Sequence, residues 1–524
     1  MRITTTLCIL AVLGLSACQK SEQVTPLGNL DARTLHLPES VPANPLEAPA
    51  SRATIDAEAL ELLQRDGVVN WAEMSDAALW SALNQTDSIV SIGYMPYGES
   101  GVDDRIHQID LDDTEWAATR RAIIDFVVEA TQRLHPNQEV DEKELLAFGE
   151  KALPYLNIRI WDYETLATLR RAEEVRYLDP MGYGTESAER SSFGCGSNGP
   201  NYSLPSSDWI DIQPGAKMSW NYPYANIEDA WDQSQGDNIT IGVIDTGLSA
   251  NQNKLNSQFA TDWSTGRTRE KYGFYEECWW WWCWNEGPND QCGHGTSMAG
   301  TIAAPRTNDG SITGVAYKSN LISCRGTEDV VINGSREKDG VTDALYYLGS
   351  RSDLDIISMS IGDVFYSGQV ADGVNYAYNN QKLIFAAAGT SLSWTSWVGV
   401  IFPANMSQCT AVTGIKTGFP MERCVECHSG SQVEFVAVMQ DRTNTSRNAI
   451  TLAHSGDHPS ETGGSSAATA TTAGIAALVW AQDPSMTRDE VKEKMKMASS
   501  NYPSSSGQFG WGIVNAAAAV DLVP

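Results

Sequence analysis

Gly463-Gly464-Ser465-Ser466-Ala467-Ala468-Thr469-Ala470-Thr471-Thr472-Ala473-Gly474-Ile475-Ala476-Ala477-Leu478 is the stretch around which the chain is organised. Paired glycines and serines run directly into small and aliphatic residues that stay compatible with a helix until Asp483-Pro484 stops it. Ser466 is thereby placed at a helix N-terminus. Unpaired N–H groups and the positive end of the macrodipole gather there and stabilise negative charge developing beside the hydroxyl. Faces of Ala, Gly and Thr let such a helix lie close against a sheet. Alone, the stretch describes packing; two upstream stretches change its meaning.

Ile239-Thr240-Ile241-Gly242-Val243-Ile244-Asp245-Thr246-Gly247 reads as a buried apolar strand with a carboxylate at its C-terminal end, where α/β folds place their chemistry. Cys292-Gly293-His294-Gly295-Thr296-Ser297-Met298-Ala299-Gly300-Thr301-Ile302-Ala303 reads as a loop presenting a histidine at the start of a helix. Asp245, His294 and Ser466 follow one of the few chain orders that supply an orienting carboxylate, a general base and a nucleophile. With these motifs the sequence resembles a subtilisin-family serine peptidase, or subtilase, from about Ser219 to the C-terminus. The D-T/S-G motif is Asp245-Thr246-Gly247, H-G-T-x-x-A-G is His294 to Gly300, and G-T-S-x-A-x-P appears as Gly464-Ser465-Ser466-Ala467-Ala468-Thr469-Ala470.

The chemistry assigns each part a task. A serine hydroxyl is a poor nucleophile, so His294 takes its proton as it attacks a carbonyl. Asp245 accepts the other ring N–H, fixing the tautomer and stabilising the imidazolium. The carbonyl oxygen gains charge and needs aimed donors, one being the Ser466 backbone N–H. The resemblance further implies that Ser360-Ile361-Gly362 pairs with extended substrate. With Ala387-Ala388-Gly389, this segment would line the pocket for the residue before the scissile bond. Two positions depart from the family. Thr390 stands where an asparagine usually serves as the side-chain oxyanion donor; its hydroxyl can donate over a shorter reach. Ala470 replaces the usual proline and affects the helix start more than the chemistry.

With 524 residues the chain has room for several domains. Its formal charge of −30 argues against nucleic acid or an anionic membrane surface as partner. Alternating strands and helices after Asp245 imply a parallel sheet covered on both faces: an α/β, subtilisin-like architecture. The strand-like segments are Asn320-Leu321-Ile322-Ser323-Cys324, Ile356 to Gly362 and Leu383 to Gly389, with helical patterns at Val341 to Leu348 and Val370 to Asn379.

Upstream, residues 1–17 read as an export signal whose Leu15-Ser16-Ala17-Cys18 resembles a bacterial lipobox, which implies lipidation at Cys18. Gln19 after the cysteine points to the outer membrane of a Gram-negative cell. Residues 18–55 read as a tether and 185–218 as a linker and processing region. Between them, 56–184 carries a strand at Ser88 to Tyr94, an amphipathic helix from Thr114 to Leu134, a strand at Leu153 to Ile160, a short helix at Thr165 to Arg171 and a strand at Glu174 to Leu178. This order resembles the inhibitory propeptide of subtilases, preceding a catalytic domain at 219–524.

After Cys8 and Cys18, eight cysteines remain, enough for up to four disulfides in an exported chain. Cys424-Val425-Glu426-Cys427-His428 matches the C-x-x-C-H haem pattern, but disulfide use is expected over haem, with zinc a third reading. No cofactor is required by the proposed chemistry, and structural calcium is common in the family without a ligand set here to name. Cys278-Trp279-Trp280-Trp281-Trp282-Cys283-Trp284 is an aromatic loop just ahead of the histidine motif. Three uses stay open for it: walling the cleft, touching a partner or packing on the sheet. The reading is a lipid-anchored, propeptide-bearing monomeric serine endopeptidase acting on proteins. The alternative is a catalytically weak, subtilase-like binding protein of the cell envelope.

Overall fold

The computed structural model describes residues 35–137, 139–149, 151–184, 195, 199–279, 282–390 and 398–524, with the side chains of 278–283 excluded. The expected signal at 1–17, the expected lipidation site Cys18, the start of the expected tether, most of 185–198 and the indoles of Trp279 to Trp282 lie outside the described residues.

Seven strands form one sheet in the order Val433–Gln440, Cys409–Lys416, Leu383–Ala387, Ile356–Met359, Thr240–Asp245, Asn320–Arg325, Arg269–Gly273. Every neighbouring pair is parallel. The chain lays down Thr240–Asp245 first, moves out to the Arg269–Gly273 edge, returns through Asn320–Arg325 and then crosses to Ile356–Met359 on the other side of the first strand. Asp245 therefore stands at the C-terminal end of the strand where the winding reverses, the place where open α/β sheets form crevices.

Both faces of the sheet are buried, which explains strands that read as unbroken apolar runs. On one face Ile241 and Val243 pack with Met298, Ile302 and the helix containing Ala467 to Val479. On the other, Ile244 and Ile322 pack with Val341, Leu345, Val370 and Val374 of helices Ser335–Ser350 and Gly368–Asn379.

The N-terminal unit is a four-stranded antiparallel sheet in the order Leu146–Ala147, Tyr155–Arg159, Ile89–Tyr94, Val175–Pro180. Helices Thr114–Leu134 and Tyr163–Leu169 accompany it, each started by an aspartate side chain that accepts a first-turn N–H. The first described helix, Arg52–Asp66, capped by Ser51, starts within the expected tether. The expected linker 185–218 includes a hairpin, Trp209–Ile212 with Ala216–Ser219, whose Ile212, Ala216 and Met218 belong to the catalytic core. Polar turn residues dominate the composition there and hide the alternating apolar positions.

The N-terminal unit sits on helices Ser335–Ser350 and Gly368–Asn379 through buried charge. Lys151 Nζ donates to Asp339 at 2.8 Å, both side chains 5% exposed. Arg176 donates from two nitrogens to the two Asp372 oxygens at 2.7 and 3.0 Å, and the Tyr177 hydroxyl donates to Asp372 at 2.8 Å. Gly368 N–H, at the start of its helix, donates to Asp179 at 2.7 Å, so a carboxylate meets the positive end of that helix. The Tyr177 ring fills the space a Cβ would need at Gly93 and Gly368, at 2.2 and 2.4 Å. Apolar contact completes the seat: fully buried Trp71 stacks on Phe365 with centroids 5.0 Å apart.

Asp372 is 2% exposed, so removing its cation leaves a buried charge. Arg176→Met is expected to cost about 3 kcal/mol or more in urea denaturation, and Arg176→Met/Asp372→Leu to recover most of that loss.

Candidate active site

Asp245 is buried at its strand end, and its Oδ1 is 2.8 Å from His294 Nδ1. The Thr246 N–H donates to the same oxygen at 2.8 Å. His294 is the first residue of helix His294–Ala303. That helix packs so tightly on the Asp245 loop that a Cβ at Gly295 would lie 2.4 Å from Gly247 O and 2.8 Å from Gly247 N. Glycine after the histidine is therefore a condition of the Asp–His approach. Burial favours the neutral imidazole, but the Asp245 charge and hydrogen bond outweigh it and hold His294 above its ordinary pKa.

Asp290, which the sequence reading passed over, organises the loop. Its carboxylate accepts five hydrogen bonds: from Thr246 Oγ1 at 2.9 Å, Cys292 N at 2.9 Å, Gly293 N at 2.6 Å, Thr296 N at 2.9 Å and Thr296 Oγ1 at 2.6 Å. Thr246 Oγ1 in turn accepts from Gly295 N at 2.9 Å, and Thr296 Oγ1 from Ser249 N at 2.9 Å. One carboxylate thus ties the aspartate strand end to the histidine helix. The available signal was an aspartate four residues before the histidine.

The helix Gly464–Trp480 packs on the histidine helix and under the sheet. All its residues are buried except Ser466, which is half-exposed. The Ser466 hydroxyl donates to Ser360 O at 3.3 Å, and Ser360 Oγ donates back to Ser466 O at 3.0 Å. The segment Ser360-Ile361-Gly362 thus begins beside Ser466.

Ala387, Ala388 and Gly389 end a neighbouring strand. Gly389 N donates to Ser465 Oγ at 3.2 Å, and Thr390 Oγ1 lies 3.2 Å from the same oxygen. Gly464 adopts φ +67°, and a Cβ there would approach Thr390 Oγ1 to 3.1 Å, so Thr390 stands directly over the start of the serine helix. The structure brings Asp245 and His294 into contact and gathers Ser360, Gly389 and Thr390 around the Ser465-Ser466 turn.

The cysteines fall differently from a full set of four bridges. Cys195 pairs with Cys292, and Cys424 with Cys427. Cys324 and Cys409 are buried thiols on separate strands of the sheet, burial pushing Cys409 up to about 12 and Cys324 higher. Cys278 and Cys283 face one another in the hairpin Glu276–Trp279/Trp282–Asn285 by backbone register. The Cys424-Cys427-His428 turn abuts this site: Thr390 bridges to Cys427, and His428 N donates to Gly389 O at 2.9 Å. Burial depresses His428 to about 4, and its Nδ1 lies 3.0 Å from Gly399 O. Among the described residues no group of three or more His, Cys, Asp or Glu is placed to hold a metal ion, and no helix is long and apolar enough to cross a membrane.

The chain is similar to known serine proteases. Over 291 residues the chain is 26% identical to subtilisin DY of Bacillus licheniformis, an alignment covering 54% of this chain and 92% of that protein. It is 27% identical over 293 residues to the thermophilic serine proteinase of Bacillus sp. (strain AK1), covering 56% and 64% of the two chains. The solved MycP3 protease from the type VII (ESX-3) secretion system aligns at 22% identity with a TM-score of 0.45, over 60% of this chain and 91% of that one. The subtilase family description matches residues 236–512, more than half of the sequence, so the chain belongs to the subtilase family and is a subtilisin-like serine endopeptidase.

Proposed function

We propose that the protein hydrolyses peptide bonds through an acyl-enzyme on Ser466, with His294 as general base and Asp245 as orienting carboxylate. The observation that carries this reading is the buried 2.8 Å Asp245–His294 contact packed against a helix whose one half-exposed residue is Ser466.

In this reading the Ser466 hydroxyl leaves Ser360 O and gives its proton to His294 Nε2, the nitrogen opposite the Asp245 contact. As the Oγ–carbon bond forms, the proton passes to Nε2, and the oxyanion is met by the Ser466 N–H at the helix end. Thr390 is the second donor. If Ser465 donates to Thr390 Oγ1, the Thr390 proton is released for the oxyanion; the 3.2 Å separation suits either direction. His294 then gives its proton to the leaving amine as the C–N bond breaks, and water repeats the sequence to free the enzyme. Asp290 is the positioning residue for this pair, since it fixes both sides of the Asp–His contact through Thr246 and Thr296.

The N-terminal unit acts as an inhibitory propeptide, and the chain is exported as a lipid-anchored precursor. Support comes from its place before the catalytic unit, its sheet backed by two helices, and its last strand, Val175–Pro180, leading toward the segment joined to the histidine loop at Cys195. Cleavage in 185–194 would separate this unit from the catalytic chain.

Expression of wild type and Ser466→Ala with the native signal in a Gram-negative host tests processing by intact mass. Wild type is expected to lose the N-terminal third and Ser466→Ala to keep it; equal cutting of both assigns the cleavage to the host. Because the base must be neutral, kcat/KM is expected to fall as pH drops through a His294 pKa above the ordinary histidine value. In a kcat/KM pH profile, Asp245→Asn should move this limb to lower pH and lower kcat by about 10⁴. Hydrogen bonds to charged groups are each worth about 1.5–3 kcal/mol. Asp290→Asn, which gives up acceptor capacity at one oxygen, should therefore lower thermal stability and reduce kcat more than it raises KM.

A further inference from the structure

The edge that would receive a substrate strand is already paired along most of its length by the chain itself. Gly362 N donates to Val330 O at 3.0 Å, and Ile332 N donates to Gly362 O at 3.2 Å, making Val331 the parallel bridge partner of Gly362. Beyond it, Asp363 and Phe402 exchange two hydrogen bonds, at 2.9 and 3.1 Å. Val364 O accepts from Val69 N at 2.9 Å, and Tyr366 N donates to Val69 O at 2.8 Å. Among the described residues, the part of this edge not taken by another segment's backbone is Ser360 and Ile361, where Ser360 O receives the Ser466 hydroxyl.

The segment at Gly362 is fastened on both sides. Ile332 is fully buried in the same core as Met359, Ile361 and Phe402. Upstream, Thr327 Oγ1 donates to Asp329 O at 2.6 Å and Val330 N to Asp329 Oδ1 at 2.6 Å, locking the turn that delivers Val330. Cys195, disulfide-bonded to Cys292 of the histidine loop, places its sulfur 3.6 Å from Glu328 O. Gly362 is also closed from its other side, where a Cβ would meet Phe402 O at 2.6 Å.

In an antiparallel pair, hydrogen-bonded residues alternate along a strand. A substrate whose residue before the scissile bond pairs with Ser360 would therefore bring its third residue on that side to Gly362. Both Gly362 backbone groups are spent there. We propose that Val330–Ile332 is a built-in occupant of the substrate edge, so that main-chain pairing on the acyl side stops at Ser360-Ile361. Selectivity then comes from the residues flanking the scissile bond, and extending a substrate toward its N-terminus adds no strand pairing.

This inference rests on the Ser466 reading above, and the test separates the two. Wild-type protein is assayed on peptide amides carrying two, three or four residues before one common scissile bond, with Ser466→Ala as control. The expected result is kcat/KM constant within about threefold across the series. A rise of about tenfold or more from two to four residues overturns the inference while leaving the Ser466 reading intact, provided Ser466→Ala cleaves none of them. If wild type cleaves none and is not labelled by a serine-directed phosphonate, both readings fall together. Ile332→Pro removes the N–H that holds Gly362 O and is expected to introduce length dependence. A folded Ile332→Pro protein that stays length-independent also overturns the inference.

Discussion

The site depends on one buried carboxylate that is not a member of the proposed triad. Asp290 is 4% exposed; its Oδ1 accepts from Thr246 Oγ1, Cys292 N and Gly293 N, and its Oδ2 from the N–H and hydroxyl of Thr296 on the histidine helix. A charge at that depth is tolerated because its hydrogen bonds replace the water it has lost. The gain is geometric. The loop holding Thr246 and the helix beginning at His294 are drawn together until only glycine fits at 295. The 2.8 Å Asp245–His294 contact is the result of that closure.

A similar use of buried charge joins the N-terminal unit to the catalytic sheet. Arg176 and Lys151 are only 11% and 5% exposed, and each meets its carboxylate on a helix of the catalytic unit. Such pairs are poor sources of net stability, because desolvation opposes their attraction, but they discriminate strongly against misplacement. A unit shifted by a few ångströms would bury Asp339, Asp372, Lys151 and Arg176 without partners. The apolar part of the seat, Trp71 on Phe365, supplies attraction, and the ion pairs supply register.

Much of this was legible from local pattern. The helix expected from Thr114 to Leu134 occupies that span, because its apolar spacing, its Asp113 cap and the following His135-Pro136 all act within a few residues. The strand ending at Asp245 and the helices beginning at His294 and just before Ser466 were legible for the same reason, their small residues being required by contacts at the backbone. What local pattern did not carry was partnership over distance. Nothing near Cys195 names Cys292, and nothing near Val330 or Val69 names Gly362 or Phe365. The hairpin at Trp209–Ser219 was obscured by polar turn residues, although Ile212, Ala216 and Met218 alternate as a core-facing strand pair does. Asp290 was visible as a residue, but its role comes from meeting donors on both sides of a fold that the loop sequence does not describe.

The distant partnerships also set what cleavage of the linker would accomplish. Cys195 is held to Cys292, so a cut before 195 leaves the new N-terminal segment fastened beside the histidine loop. Among the described residues the N-terminal unit has no disulfide to the catalytic unit, and once the chain is cut its described contacts are those of the seat. Val69 pairs with Val364 and Tyr366, a few residues along the same edge from Ser360, so the seat and the substrate edge are one continuous segment of chain. Departure of the unit would uncover Trp71, Phe365 and the carboxylates of Asp339 and Asp372 together, a cost that opposes dissociation even with the peptide bond cut. Separation of the catalytic unit from the N-terminal unit therefore requires two separate events, breaking the chain and breaking the seat.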